Sequence, residues 1–240
     1  MPEPLEARNV VRLYGDERAV DGVDLQVRSG EIHAIVGLNG AGKTTLMRLL
    51  LGMVAPTSGE ARIGGVNARS ARADVWRQVG CLIETPFSYP ELTVTENLEA
   101  AALLHGVDDI PTEVARVIDE FQLGHWANKR ARALSLGNHQ RLGLAAALVH
   151  RPSILVLDEP ANALDPAGVV FIRDLMRTAA ERGAAVMVSS HHLDQLARVA
   201  DRITVLHRGR VIGTLDPHGI DLEQQFFDLV YRNDRERGLA

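Results

Sequence analysis

One stretch limits what this chain can fold into more than any other. The apolar run Ile32-His-Ala-Ile-Val36 breaks into Gly37-Leu-Asn-Gly-Ala-Gly-Lys-Thr44, and apolar residues then resume at Leu46, Met47, Leu49, Leu50 and Leu51. A strand, a glycine-rich loop and a helix in that order form a phosphate cradle, because backbone N–H groups point at the anion and the helix adds the positive end of its dipole. Gly37, Gly40 and Gly42 leave room for that approach, Lys43 can reach the β and γ phosphates, and Thr44 can set its hydroxyl on Mg²⁺. The pattern G-x-x-x-x-G-K-T is met without a mismatch. A nucleoside triphosphate is the expected ligand, with contacts from Gly37, Leu38, Asn39, Gly40, Ala41, Gly42, Lys43, Thr44 and Thr45. The helix is expected from Lys43 to about Met53, closed by Pro56-Thr-Ser-Gly59, and its nearly all-round apolar surface predicts burial against a sheet.

What the loop leaves open, composition narrows. A chain of 240 residues has room for one large core with a smaller lobe, and its net charge of -5, from 26 basic and 31 acidic residues, disfavours a broad nucleic-acid surface. No nucleic-acid motif stands out. Cys81 is the single cysteine, which rules out an internal disulfide framework and reads as a small buried hydrophobe in a reducing compartment. The first nine residues hold two acids and no apolar run after a basic start, and no uninterrupted apolar segment has membrane-spanning length. The chain is expected in the cytosol, or at a membrane through a partner.

Before the loop, residues 8–14 alternate loosely, and two strands flank the turn at Ser29-Gly30. Tyr14, just ahead of Gly15, reads either as a sheet-edge tyrosine or as a platform for a base. After it, short extended pieces around 60–63 and beyond Gly64-Gly65, and a modest helix near 74–78, lead to the strand Val79-Gly-Cys-Leu-Ile83. Glu84 then precedes a loop bounded by Pro86 and Pro90. It reads either as a surface acid or as a strand-end carboxylate facing the metal or water beside a γ phosphate. From Thr93 a capping box with Glu96 opens a helix, and a second runs from about 112 to 121 with Val114, Val117, Ile118 and Phe121 inward. Trp126 reads as core, whereas Phe87 and Tyr89 sit in a loop with little to bury them and are candidate partner contacts. Ser135, in Leu-Ser-Leu-Gly-Asn138, is a natural N-cap for the helix that follows, whose N-terminus could hold an anion. Since the chain has no second phosphate loop, an anion there would belong to another subunit.

The second half resumes the sheet. Ser153-Ile-Leu-Val-Leu-Asp158-Glu159 is a fully buried parallel strand with its acids at the carboxyl edge, where ligands bind in open α/β sheets. Asp158 is expected on the Mg²⁺ side and Glu159 on the attacking water. Asp165 with Pro166 is an N-cap pair for a helix to about Arg182, and residues 184–190 form the next buried strand. His191 and His192 follow it, either incidental or one donating a hydrogen bond to the γ phosphate or the water. Strands at 203–207 and 210–215 form a hairpin at Arg208-Gly209, and the end reads as a short helix and a frayed polar tail.

In combination these motifs resemble the ATP-binding subunit of ABC-type transporters over nearly the whole chain. The resemblance makes residues 37–44 the Walker A loop, 154–159 the Walker B strand with Glu159 as catalytic glutamate, and 134–138 the signature loop. Asp165 closes the D-loop, His191 is the switch histidine, and Tyr14 stacks on adenine. It implies an α/β fold: a P-loop NTPase core of mainly parallel sheet at 1–85 and 151–220 with antiparallel N-terminal strands, an inserted helical subdomain at 86–150, and a C-terminal helix and polar tail at 221–240. It also implies ATP and Mg²⁺ as ligands, with Thr44, Asp158 and Glu84 on the metal. Two such subunits, a homodimer in the simplest case, would close head to tail with Ser135 and Gly137 reaching the partner's nucleotide. A separate permease would hold the pair at the cytoplasmic face of the membrane, without direct insertion.

Two departures narrow the resemblance. Leu136 and Asn138 replace a glycine and the glutamine of the usual Leu-Ser-Gly-Gly-Gln signature, and Glu84 stands where the family's Q-loop carries glutamine. The Leu-Ile-Glu-x-Pro and Ser-Leu-Gly-x-x-Gln-Arg-Leu-Gly stretches look like the subgroup that exports bacitracin, lantibiotics and other drugs. Competing assignments are an ABC ATPase of a lipid, polysaccharide or ion exporter, an iron-sulfur assembly ATPase, and a regulatory subunit with weak hydrolysis. Retention of Glu159 and His191 argues against the last.

Overall fold

The structure is a computed structural model and describes residues 3–191 and 193–238. β1 (Leu5–Tyr14) and β2 (Glu17–Val27) form an antiparallel pair that turns at Gly15. β3 (Ile32–Val36) leads through the glycine loop into α1 (Lys43–Leu50), and β4 (Ser58–Ile63) and β5 (Val66–Asn67) return to the first pair. A short α2 (Ala73–Trp76) precedes β6 (Val79–Leu82). Three helices follow: α3 (Val94–His105), α4 (Ile110–Glu120) and α5 (Leu136–Leu148). The chain then alternates β7 (Ile154–Asp158), α6 (Pro166–Glu181), β8 (Ala185–Ser190) and α7 (Leu193–Ala197). It ends in β9 (Arg202–His207), β10 (Arg210–Leu215) and α8 (Leu222–Glu236).

Among the described residues the strands make two sheets, ordered β2-β1-β4-β5 and β10-β9-β3-β8-β7-β6. The first is antiparallel; the second is parallel from β9 to β6, with β10 as its antiparallel edge. Every residue of β3, β7 and β8 is buried, as parallel strands covered on both faces must be. Their side chains divide by the two-residue period. Ala34, Leu155, Leu157, Val186 and Val188 join the core shared with α3 to α6 and α8, while Ile35, Ile154, Val156 and Met187 face α1 and the antiparallel sheet. Leu46, Met47, Leu49 and Leu50 are apolar around most of α1 because that helix lies between the two sheets.

Local chemistry sets several of the boundaries. Thr93 and Glu96 form the expected capping box of α3. Asp165 accepts from the Gly168 N–H at 2.9 Å with Pro166 at the first helical position. Ser135 caps α5 through the Asn138 N–H at 3.4 Å, so that helix begins at Leu136, inside the stretch read as a loop.

Two expectations are corrected. α1 stops at Leu50, well before the Pro56 turn, because the Gly52 and Met53 N–H groups bond back to Leu49 and Arg48 carbonyls at 3.0 and 2.9 Å, a Schellman closure; residues 58 and 59 already belong to β4. The C-terminal helix is longer than the short one expected: α8 continues through Glu236. Leu222, Phe226 and Val230 keep a four-residue apolar spacing against the core, and the Asp234 carboxylate accepts from His207 Nε2 at 3.0 Å.

Candidate nucleotide site

Parallel pairing brings the carboxyl ends of β3, β7 and β8 to one edge, so residues distant in sequence converge there. β3 delivers the glycine loop. Gly42 has φ 102°, and a Cβ there would lie 2.3 Å from the Ala19 carbonyl oxygen, so a side chain has no room. Ala41 accepts from the Gly209 N–H at 2.9 Å, which ties the loop to the β9–β10 turn. Lys43 is 8% exposed, and its ammonium donates to the Gly37 and Leu38 carbonyls at 2.7 and 3.3 Å, folded into the loop it would share with a phosphate. Burial lowers its pKa, while the charges of Glu159 and Asp158 hold it up.

β7 supplies the acids. Asp158 is 2% exposed; its Oδ2 accepts from the Thr44 hydroxyl at 2.6 Å, and its Oδ1 accepts from the Ser189 hydroxyl. That pairing follows from register, since Asp158 and Ser189 are direct partners across β7 and β8. Glu159 is the next residue, at φ 50°. Its N–H donates to the Ser189 carbonyl at 3.2 Å and shares the Ser189 hydroxyl at 3.1 Å, and its Oε2 lies 2.9 Å from His191 Nδ1.

A cavity of about 400 Å³ is lined by Tyr14, residues 39–45, Asp158 and Glu159, together with Glu17 and Ala19. Gly37, Leu38 and His191 line a neighbouring cavity of about 620 Å³, and Asn39 borders both. The Arg12 guanidinium lies 4.4 Å from the Tyr14 ring centroid. Glu84, expected beside the metal, pairs through Oε2 with Arg48 Nη2 at 2.7 Å. Ser135, Gly137 and Asp165 line neither cavity, and Arg141, on the helix that Ser135 caps, lies 3.6 Å from Asp165. His192 lies outside the described residues.

The sequence motifs include none of Ser189, Arg48, Glu17 and Ala19, and they contain Gln140 only within the Ser-Leu-Gly-x-x-Gln-Arg-Leu-Gly stretch, without a role. The paired small residues Ser189-Ser190 ending an apolar strand were the available signal for the first. Glu17 and Ala19 come from the hairpin at Gly15, which returns the chain beside Tyr14.

The loop fits a triphosphate chain: its backbone cannot accept a side chain at Gly42, its lysine is held among loop carbonyls, and its threonine already meets a buried carboxylate. A chain with this sheet order and this loop is a P-loop nucleotide-binding protein. Residues 20–162 match the model of the ABC transporter family. The chain is 36% identical to the bacitracin transport ATP-binding protein BcrA of Bacillus licheniformis over 87% of its own length and 68% of that protein. It is 31% identical to the lantibiotic transport ATP-binding protein SrtF of Streptococcus pyogenes, over 93% and 96%. A solved ATP-binding subunit of an ABC transporter superposes with a TM-score of 0.86 at 30% identity, covering 94% of this chain and 99% of that one. The chain belongs to the ABC transporter family, as an ATP-binding subunit. Among the described residues no helix is long and apolar enough to cross a membrane.

Proposed function

We propose that this subunit hydrolyses ATP to drive a separate membrane permease that expels an antibiotic, an antimicrobial peptide or another drug. The observation that carries the enzymatic part is Glu159, whose carboxylate lies 2.9 Å from His191 Nδ1 at the strand end beside Lys43, Thr44 and Asp158. Glu159 takes a proton from a water molecule as the water oxygen bonds to the γ phosphorus; the bond from that phosphorus to the β–γ bridging oxygen breaks, and ADP leaves with its electron pair. His191 orients the carboxylate and the water. Lys43 and the N–H groups of residues 37–45 stabilise the charge on the transferring phosphoryl group, and Tyr14 stacks on the adenine. Mg²⁺, when bound, neutralises charge on the phosphate oxygens. Thr44 and Asp158 would hold it, and Glu84 joins them only on release from Arg48.

Ser135, Gly137 and Asp165 serve a second copy of the site. None of the three lines the chain's own cavity, which supports a head-to-tail pair in which each signature loop contacts its neighbour's nucleotide. Exposed Phe87 and Tyr89, 5.1 Å apart in an edge-to-face pair, continue the Glu84 loop and supply its contact with the permease. The permease holds the dimer at the cytoplasmic face of the membrane. The drug or peptide cargo rests on the bacitracin and lantibiotic relatives together with Glu84 in the coupling loop.

Deleting the gene with its neighbouring permease gene tests the cargo class. Sensitivity to bacitracin or a lantibiotic is expected to rise and to be restored by the wild-type pair but not by Glu159→Gln. Unchanged sensitivity to bacitracin, lantibiotics and anthracyclines would overturn the drug and peptide reading.

A further inference from the structure

Glu159 sits in a backbone conformation that side chains seldom adopt, and so does Ala163 four residues on, at φ 50° and 64°. Such conformations carry strain and persist only where the surroundings hold them. On one side the Ser189 carbonyl and hydroxyl hold the Glu159 N–H. The other side is held from α5. Gln140, 4% exposed, donates its Nε2 amide hydrogen to the carbonyl of Pro160, the residue after Glu159, at 3.0 Å. The same helix meets the rest of the turn at two more points. A Cβ on Gly137 would lie 3.0 Å from the Ala163 carbonyl oxygen, and the Arg141 guanidinium stands 3.6 Å from the Asp165 carboxylate.

Ser135 caps the start of this helix, and Gln140 lies little more than one turn beyond it. A helix is stiff over that distance. Whatever Ser135 engages is therefore felt at the Pro160 carbonyl, and through one peptide unit at Glu159. The position of the amide matters more than its bulk, since the contact is a single directed hydrogen bond into a buried turn.

We propose that Gln140 is a positioning residue that sets the Glu159 carboxylate from α5, so that a nucleotide held by Ser135 on a second subunit is registered at this subunit's own hydrolytic glutamate. The inference rests on the hydrolytic reading of Glu159 given above. Gln140 touches neither nucleotide; it acts through the Pro160 carbonyl.

The test is steady-state ATP turnover by the purified full chain, wild type against Gln140→Met, which keeps the length of the side chain and removes the donor. Gln140→Asn, which keeps an amide too short to reach, serves in its place if the methionine variant does not fold. The expected result is a 10- to 100-fold fall in kcat with the KM for ATP and the Kd for a fluorescent ATP analogue within twofold of wild type. In single-turnover measurements Gln140→Met is expected to cause no further loss in a Glu159→Gln background, because both changes act at one carboxylate. A folded variant with wild-type kcat, a rise in KM alone, or losses that multiply with those of Glu159→Gln would overturn the proposal while leaving the hydrolytic reading intact. A wild-type chain without turnover would overturn that reading and this inference with it.

Discussion

Glu159 and Glu84 follow neighbouring parallel strands, β7 and β6, and both have left-handed backbone, at φ 50° and 57°. Their surroundings differ in kind. The Glu159 side chain is 19% exposed, and its turn is fixed by Ser189, His191 and the Gln140 contact on Pro160. The Glu84 side chain is 52% exposed, and it pairs with Arg48, itself 37% exposed. Exposed ion pairs contribute about 0–1 kcal/mol, whereas hydrogen bonds to a buried charged group contribute about 1.5–3. One acid is built into the sheet edge at a fixed geometry. The other is restrained by an exposed ion pair alone among the contacts described above.

Three stability measurements probe the difference between the two acids, the strongest effect first. The first concerns the sheet that carries both acids. His33 on β3 is 1% exposed with its Nε2 2.8 Å from the Thr204 hydroxyl, and burial, aided by the Arg202 charge, lowers its pKa to about 4. An unfolded histidine binds its proton near the ordinary value of about 6.5. Between these values the unfolded chain holds more protons, so stability is full above that value and falls as pH drops toward 4, by roughly 3 kcal/mol at the lower end. Burial lowers the pKa of His150 to about 4 as well, with the same sign. Urea midpoints recorded from pH 7.5 to 4 should fall accordingly, and less steeply in His33→Gln; a flat profile in the wild type would contradict this.

Ser189→Ala is the second. It removes the hydroxyl that donates to Asp158 and is shared with the Glu159 N–H, at a site with no exposure. The unfolding free energy should drop by about 1–3 kcal/mol at an unchanged urea m-value. A loss below ~0.5 kcal/mol would remove the claimed rigidity of the Glu159 turn. The smallest effect belongs to the other acid. A double-mutant cycle on Arg48→Ala and Glu84→Ala should give a coupling of at most about 1 kcal/mol, and one above about 2 would make Glu84 as fixed as Glu159.

What could be read in the sequence was short-range. The phosphate loop, the Asp158-Glu159 strand end, the Thr93 capping box and the Ser135 and Asp165 caps each lie within a few residues, where local chemistry leaves few alternatives. The Ser189 bond to Asp158, the Gln140 bond to Pro160 and the Arg48 pair with Glu84 join distant segments, and only strand order and helix packing bring them together. Arg48 illustrates the difficulty: in sequence it is a cation in the last turn of a buried helix, with nothing to say that a later loop returns to it. The length of α8 was hidden for another reason. Its charged residues resemble a solvated tail, and the helix is sustained by the spacing of Phe226 and Val230 and by the anchor from His207 to Asp234.

The proposed hydrolysis depends above all on Glu159 acting at a site that binds ATP. Steady-state ATP hydrolysis with Mg²⁺ by wild type and Glu159→Gln, with ATP binding measured on the same preparations, tests it most directly. Binding should be retained in both, and turnover should be lower by roughly 10²–10⁴-fold in the variant, the range expected for loss of a general base. Equal turnover in the two proteins, at any level, would contradict it.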